Sequence, residues 1–148
     1  MSGEFLGTFH IAVNKQKWVT LPAVLKKKFS TISKQKLIIT IGPQKNIVIY
    51  PLDNWNEKIS SLREKATPRD ITMLHNLRYF ASSEQKMENT GRIKLSDELI
   101  ELANISEKVM IKGEGSFISI WDPERYKIVR EKTILEHMEM FKSEDYQT

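Results

Sequence analysis

The side chains of this sequence best suited to chemistry are cations, and they are unevenly placed. Residues 1–53 hold eight lysines (Lys15, Lys17, Lys26, Lys27, Lys28, Lys34, Lys36 and Lys45) against two carboxylates, Glu4 and Asp53. The rest of the chain carries fifteen basic and seventeen acidic groups, so the formal net charge of +4 hides a basic first half joined to a mildly acidic second. Such a surface attracts polyanions, nucleic acid among them, although lysine-rich faces also serve solubility alone. Other chemistries lack their parts. The absence of cysteine removes disulfides, thiolate zinc sites and cysteine nucleophiles together. His10, His75 and His137 stand far apart, none at the HxxxH spacing that places two ligands on one helical face. No nucleophile, base and orienting partner can be assembled from spacing, and no phosphate-cradling glycine loop follows a strand. An enzyme, a cofactor and a small-molecule substrate are therefore not expected.

The elements that must position those cations come next. With 148 residues, 40% hydrophobic and 28% charged, the composition is that of a folded soluble protein with room for one ordinary domain or two small lobes sharing a core. Residues Met1 to Gly7 have neither a basic run nor an apolar stretch, and the longest apolar runs are as short as Ile47 to Tyr50. A membrane segment is not expected, and cytoplasm is the default compartment.

The chain repeats itself. Val13 to Leu25 lies over Met87 to Leu99 at an offset of 74, each segment a polar turn, a short apolar strand ending in Leu21 or Leu95, and a helix start. Leu37 to Pro51 then lies over Val109 to Pro123, and both read as β-hairpins: β-branched strands flank Gly42, Pro43 and Asn46 in one copy, Gly113 and Gly115 in the other. The second strands end in Tyr50 and Trp121. Helical patterns follow, one with Asp53 as its cap and Trp55, Ile59 and Leu62 on one face, the other starting at Asp122-Pro123-Glu124. Thr67-Pro68-Arg69-Asp70 opens a further helix carrying Ile71, Leu74 and Leu77, and Ile134, Met138 and Phe141 form a late apolar stripe at helical spacing. The predicted unit is βαββα, written twice over residues 7–53 and 81–125, with a helical linker at 54–80 and a C-terminal helix or tail at 126–148. One unit alone cannot bury enough surface, so the two must pack on each other, and a pseudo-twofold barrel is expected. The fold class is α+β, mainly β, with peripheral helices.

At the paired turns the sequence resembles a known family. SpoVT/AbrB-type DNA-binding units carry a turn D-x-x-G-R before a short strand, a proline and a helix, and the MraZ family carries it twice. Here the second copy reads Glu88-Asn89-Thr90-Gly91-Arg92, with Glu for Asp. The first reads Asn14-Lys15-Gln16-Lys17-Trp18, with Asn for Asp, Lys for Gly and Trp for Arg, and keeps Pro22. Gly7-Thr8-Phe9, Tyr50-Pro51-Leu52-Asp53-Asn54-Trp55, Arg78-Tyr79-Phe80 and Trp121-Asp122 match further family landmarks. The resemblance implies a double-split β-barrel of two intertwined SpoVT-AbrB units, a ring-like homo-oligomer, and double-stranded DNA as partner. It also implies a nucleoid-associated transcriptional regulator acting at promoter direct repeats upstream of its own division and cell-wall operon. An oligomeric interaction protein that keeps the barrel but has lost specific DNA binding is the alternative.

In that family pattern the acid and arginine of each turn can form a local ion pair that shapes the loop and can present a guanidinium to phosphate or base, a purely structural pair being the alternative. Glu88 and Arg92 keep the pair. In the first turn Lys15 and Lys17 retain charge without a fork, which suits phosphate contact more than base reading. Trp18 reads as a packing residue ahead of a base-stacking one. Lys26, Lys27 and Lys28 read as a solvated helical face, with phosphate contact as the alternative. The candidate DNA-contacting residues are Asn14, Lys15 and Lys17 in the first turn, Lys26 and Lys27 in the helix after it, and Asn89, Thr90, Arg92 and Lys94 around the second.

Overall fold

The computed structural model describes residues 1–143; the polar end at 144–148 lies outside the described residues. The chain runs β1 (Thr8–Ala12), β2 (Trp18–Thr20), α1 (Ala23–Lys26), β3 (Lys36–Ile41), β4 (Ile47–Pro51), α2 (Leu52–Lys65) and α3 (Pro68–Phe80). It continues as β5 (Gln85–Lys86), β6 (Arg92–Lys94), α4 (Asp97–Leu102), β7 (Lys108–Gly113), β8 (Ile118–Trp121) and α5 (Pro123–Ser143). Each half therefore reads ββαββα, with one strand more than expected: β1 and β5, which lie ahead of the turns at the two edges of the sheet. The fold is mixed α and β. The expected predominance of β is corrected, because helices hold more residues than strands once α2, α3 and the long α5 are counted.

All ladders are antiparallel, and the six-stranded sheet has the order β1-β7-β8-β4-β3-β5. Exchanging each strand for its counterpart in the other half (β1 for β5, β7 for β3, β8 for β4) reads the same order from the opposite edge. A pseudo-twofold axis thus passes between β4 and β8, where Val48 opposes Ser119. The same axis passes through the separate ribbon of β2 and β6, where Val19 opposes Ile93. The halves interlock because β1 pairs with β7 and β5 with β3. No ladder among the described residues closes the six strands into a ring.

Burial explains the layers. Leu37, Ile39, Ile47, Ile49, Ile111, Ile118 and Ile120 point to one face of the sheet and meet Val19 and Ile93 of the ribbon, Leu21 and Leu95, and Leu25 and Leu99 of α1 and α4 in one core. The opposite face, with Ile38, Val48, Tyr50 and Trp121, is also buried, and α2 and α3 pack on it. A strand covered on both faces reads as a continuous apolar run, as IVIY of β4 does. The helical stripes are less buried than their spacing suggests. In α3 no residue is buried and Ile71 is exposed, although the helix touches both β3 and α2. Of the late stripe on α5, Ile134 is half-buried while Met138 is 52% and Phe141 38% exposed.

The helix starts also depart from expectation in one place. Thr67 and Asp70 form the expected capping box, but α2 starts after Pro51 with no side-chain cap. Asp53 is occupied elsewhere: its carboxylate accepts from the Ser2 N–H at 2.7 Å, the Ser2 hydroxyl at 2.8 Å and the Ser30 hydroxyl at 2.8 Å. Asn54 adds a bond to the Ser2 carbonyl at 3.0 Å. This clasp fastens the N-terminal segment, whose Phe5 enters the core, to the end of the lysine-bearing loop after α1. Burial pushes the Asp53 carboxyl up, but the Ser30 and Ser2 hydrogen bonds outweigh it and hold the group below its ordinary value. A depressed folded-state value contributes stability above the unfolded pKa that is lost as pH falls through the folded one. Asp53→Asn is expected to cost roughly 1–3 kcal/mol at neutral pH. In thermal melts the gap to the parent should narrow as pH drops below the carboxylate range; a gap constant with pH would refute the charged clasp.

Candidate nucleic-acid interface

The two polar turns share one backbone skeleton. In the first, the Lys17 N–H donates to the Asn14 carbonyl at 2.9 Å and the Asn14 N–H to the Trp18 carbonyl at 3.0 Å. In the second, Gly91 donates to Glu88 at 2.8 Å and Glu88 to Arg92 at 3.0 Å. The offset of 74 therefore holds atom for atom. The halves lock reciprocally: Leu21 N–H donates to the Gly91 carbonyl at 2.9 Å, and Leu95 N–H to the Lys17 carbonyl at 3.0 Å. Both turns need a left-handed residue at the same place. Gly91 supplies it with φ 92°, where a Cβ would also meet the Leu21 carbonyl at 3.1 Å. Lys17 adopts φ 70° despite its side chain.

Side chains then differentiate the turns. The Asn14 carboxamide oxygen accepts from the Gln16 and Trp18 N–H groups, each at 2.9 Å, so Asn does locally what an aspartate acceptor would. Glu88 instead reaches Arg92, whose Nε donates to Oε1 at 2.8 Å. Because β2 and β6 pair antiparallel about Val19 and Ile93, Trp18 sits opposite Lys94 and Thr20 opposite Arg92. All four point outward on one face while Val19 and Ile93 enter the core. Three residues of ribbon put the turns roughly 10 Å apart at its two ends.

The structure brings most of the candidate residues to this surface and gives each a situation. Lys94 donates to the Gln16 carbonyl and Lys26 to the Asn89 carbonyl, each lysine steadying the turn of the other half. Lys17 is paired with Asp97 at 2.7 Å in an exposed contact that solvent screens; the Lys17 hydrogen bond and charge hold Asp97 below its ordinary value. Lys15, Lys27 and Thr90 are exposed, and neither lysine has an ion-pair partner among the described residues. Leu25 and Phe29 are buried, which sets the triple-lysine segment on the outer side of α1 and its C-terminal turn.

Two participants, Asp97 and Gln85, and one contact, that of Trp18 with Arg92, are not legible in sequence spacing. Asp97 neutralises Lys17 from 80 residues away. Gln85 brackets Lys94, accepting from its N–H at 2.6 Å and donating to its carbonyl at 3.1 Å. Trp18 lies under Arg92, the guanidinium carbon 4.6 Å from the ring centroid. The last had a signal: antiparallel pairing about Val19 and Ile93 makes Trp18 and Arg92 diagonal neighbours, within reach of an aromatic side chain. Among the described residues no cluster of three His, Asp or Glu could hold a metal ion, and no helix is long and apolar enough to cross a membrane.

Comparison with known proteins converges on one family. Residues 79–146 match the family model described as "MraZ protein, putative antitoxin-like". The "Transcriptional regulator MraZ" of Herpetosiphon aurantiacus is 29% identical over 126 residues, covering 84% of this chain and 85% of that protein. That of Mycoplasma mycoides is 29% identical over 121 residues, covering 81% and 88%. That of Dictyoglomus thermophilum is 27% identical over 137 residues, covering 90% of both.

Proposed function

From its similarity to the MraZ transcriptional regulators over most of its length, we propose that this chain is itself a sequence-specific DNA-binding transcriptional regulator. The observation that carries the reading is the ribbon of β2 and β6, which sets both turns and an outward row of Arg92 and Lys94 on a single surface. Its target is promoter direct repeats upstream of its own division and cell-wall operon, and its place is the cytoplasm, on the nucleoid. The two interlocked halves are taken as the double-split barrel of tandem SpoVT-AbrB units, the ribbon and the long sheet enclosing the core. Arg92 serves as base reader. Lys15 and Lys27, exposed and without an ion-pair partner among the described residues, serve as phosphate ligands, while Asn14, Lys17, Lys26, Asn89, Thr90 and Lys94 shape or flank the two turns.

The chain acts as a ring-like homo-oligomer, and exposed Ile71 and Tyr79 on α3 with Ile128, Leu135 and Met138 on α5 supply apolar surface for a second copy. Repetition around a ring multiplies weak single-site contacts across spaced DNA repeats; a monomer in native mass spectrometry would contradict it. The second reading, an interaction protein without specific DNA binding, draws on the first turn, where Trp18 replaces an arginine and Lys17 is neutralised by Asp97.

Fluorescence anisotropy with the duplex upstream of its own gene, repeated over a range of salt concentrations, separates the two. Affinity should fall linearly on a log–log plot against salt. Lys15→Ala combined with Lys27→Ala should lower the slope by about 1.8, at ~0.9 per phosphate contact. Absent or salt-insensitive binding would reject the regulator in favour of the interaction protein.

A further inference from the structure

Trp18 occupies, in the first half, the position that Arg92 occupies in the second, so the surface has lost one guanidinium and gained an indole. The indole is not idle. Arg92 lies over its face with the guanidinium carbon 4.6 Å from the ring centroid, inside the range of a cation–π contact, and Lys94 Nζ lies 5.6 Å from the same ring. The Arg92 Nε is taken by Glu88 at 2.8 Å. Two contacts therefore act on one planar group: the indole packs against it, and the carboxylate holds its Nε edge. The Nη groups, which hold four of its five N–H donors, make no hydrogen bond among the described residues, and the side chain is 41% exposed. A fork so oriented presents the paired donors that match the O6 and N7 acceptors of guanine. It also forfeits little further freedom on binding.

The rest of the first turn agrees with a supporting role. Its Lys17 is paired with Asp97, and its Gln16 carbonyl is held by Lys94, the residue directly across from Trp18. Nothing in that turn offers a free fork.

Resting on the DNA-binding reading above, we propose that Trp18 is a positioning residue for Arg92, holding its guanidinium for bidentate contact with a guanine edge. Each subunit then reads bases through its second half alone, and the first half supplies the platform and backbone contacts.

Two readouts test this. In the DNA-free protein, the Arg92 Nε–H resonance should lie upfield through the indole ring current. It should move back in Trp18→Leu and stay largely in place in Trp18→Phe. In competition anisotropy, Trp18→Leu should reduce the preference for the upstream duplex over a scrambled one by roughly 2- to 30-fold, with an unchanged salt slope. Trp18→Phe should retain most of that preference, and Trp18→Leu should add nothing on an Arg92→Ala background. A resonance indifferent to Trp18→Leu, or equal losses with and without Arg92, would overturn the positioning role while leaving DNA binding intact. A parent protein with no preference between duplexes would overturn the DNA reading itself, and the base contact with it.

Discussion

Replacing Arg92 with alanine should weaken binding to the upstream duplex by roughly 5- to 150-fold, the worth of one bidentate guanine contact at about 1–3 kcal/mol. The fold should survive. Arg92 and Glu88 are both about two-fifths exposed, so their ion pair adds little to stability, and losing it strands no buried charge. The ribbon is held from beneath by Val19 and Ile93 and at its ends by the reciprocal Leu21 and Leu95 hydrogen bonds, none of which involves the guanidinium. Arg92→Lys sharpens the result: a point charge keeps phosphate attraction and hence the salt slope, yet lacks the fork, so discrimination between duplexes falls while non-specific affinity stays. Anisotropy with both duplexes, alongside a circular-dichroism melt, makes the distinction. Equal loss on both duplexes would reassign Arg92 to the DNA backbone, and a collapsed melt would assign it to the fold.

The largest effect on stability is expected at Phe5. Its ring is fully buried, stands edge-on to Phe29 at 5.6 Å between centroids, and belongs to the same core as the ribbon. The backbone on either side is anchored too: Phe5 exchanges both N–H···O bonds with Gly115, at 2.8 and 2.9 Å. Truncation to alanine leaves a cavity that such a pinned segment cannot collapse to fill, and should cost about 3–5 kcal/mol. For a chain of this size that is roughly 6–20 °C in melting temperature. A loss under about 1 kcal/mol would mean that the N-terminal segment is a loose addition to the core.

Phe5 also marks where the sequence stopped being legible. A single aromatic among Gly, Ser and Glu carries no periodicity, so Met1 to Gly7 was informative only about what it lacks. The repeat, by contrast, was readable because polar turns, Leu21 with Leu95, and the hairpins recur at nearly fixed offsets, and the same turns are superimposable hydrogen-bond skeletons in three dimensions. Even the small error is physical. The continuous offset of 72 pairs Tyr50 with Asp122, whereas symmetry about Val48 and Ser119 pairs Tyr50 with Trp121, because the first hairpin turn is one residue longer.

Strands β1 and β5 escaped notice since edge pairing depends on the neighbouring strand more than on intrinsic propensity. The Asp53 cap failed for a related reason: capping is a local rule, and Ser2 and Ser30 bring three distant donors to the same carboxylate. At the candidate interface the residue types were legible and their states were not. Sequence spacing gives no warning that Lys17 meets Asp97 or that Lys26 is held by the Asn89 carbonyl, both contacts made across the two halves. What it did give was a one-sided surface, with an intact arginine turn in the second half only. The stacking of Trp18 on Arg92 gives that asymmetry a structural form.

The central claim, that this surface reads DNA sequence, is most directly tested by the ratio of affinities for the upstream duplex and a scrambled duplex of equal length and composition, measured at ~0.15 M salt. The account predicts a ratio of at least about 10³ for the assembled protein, and a ratio near one, at any affinity, would contradict it.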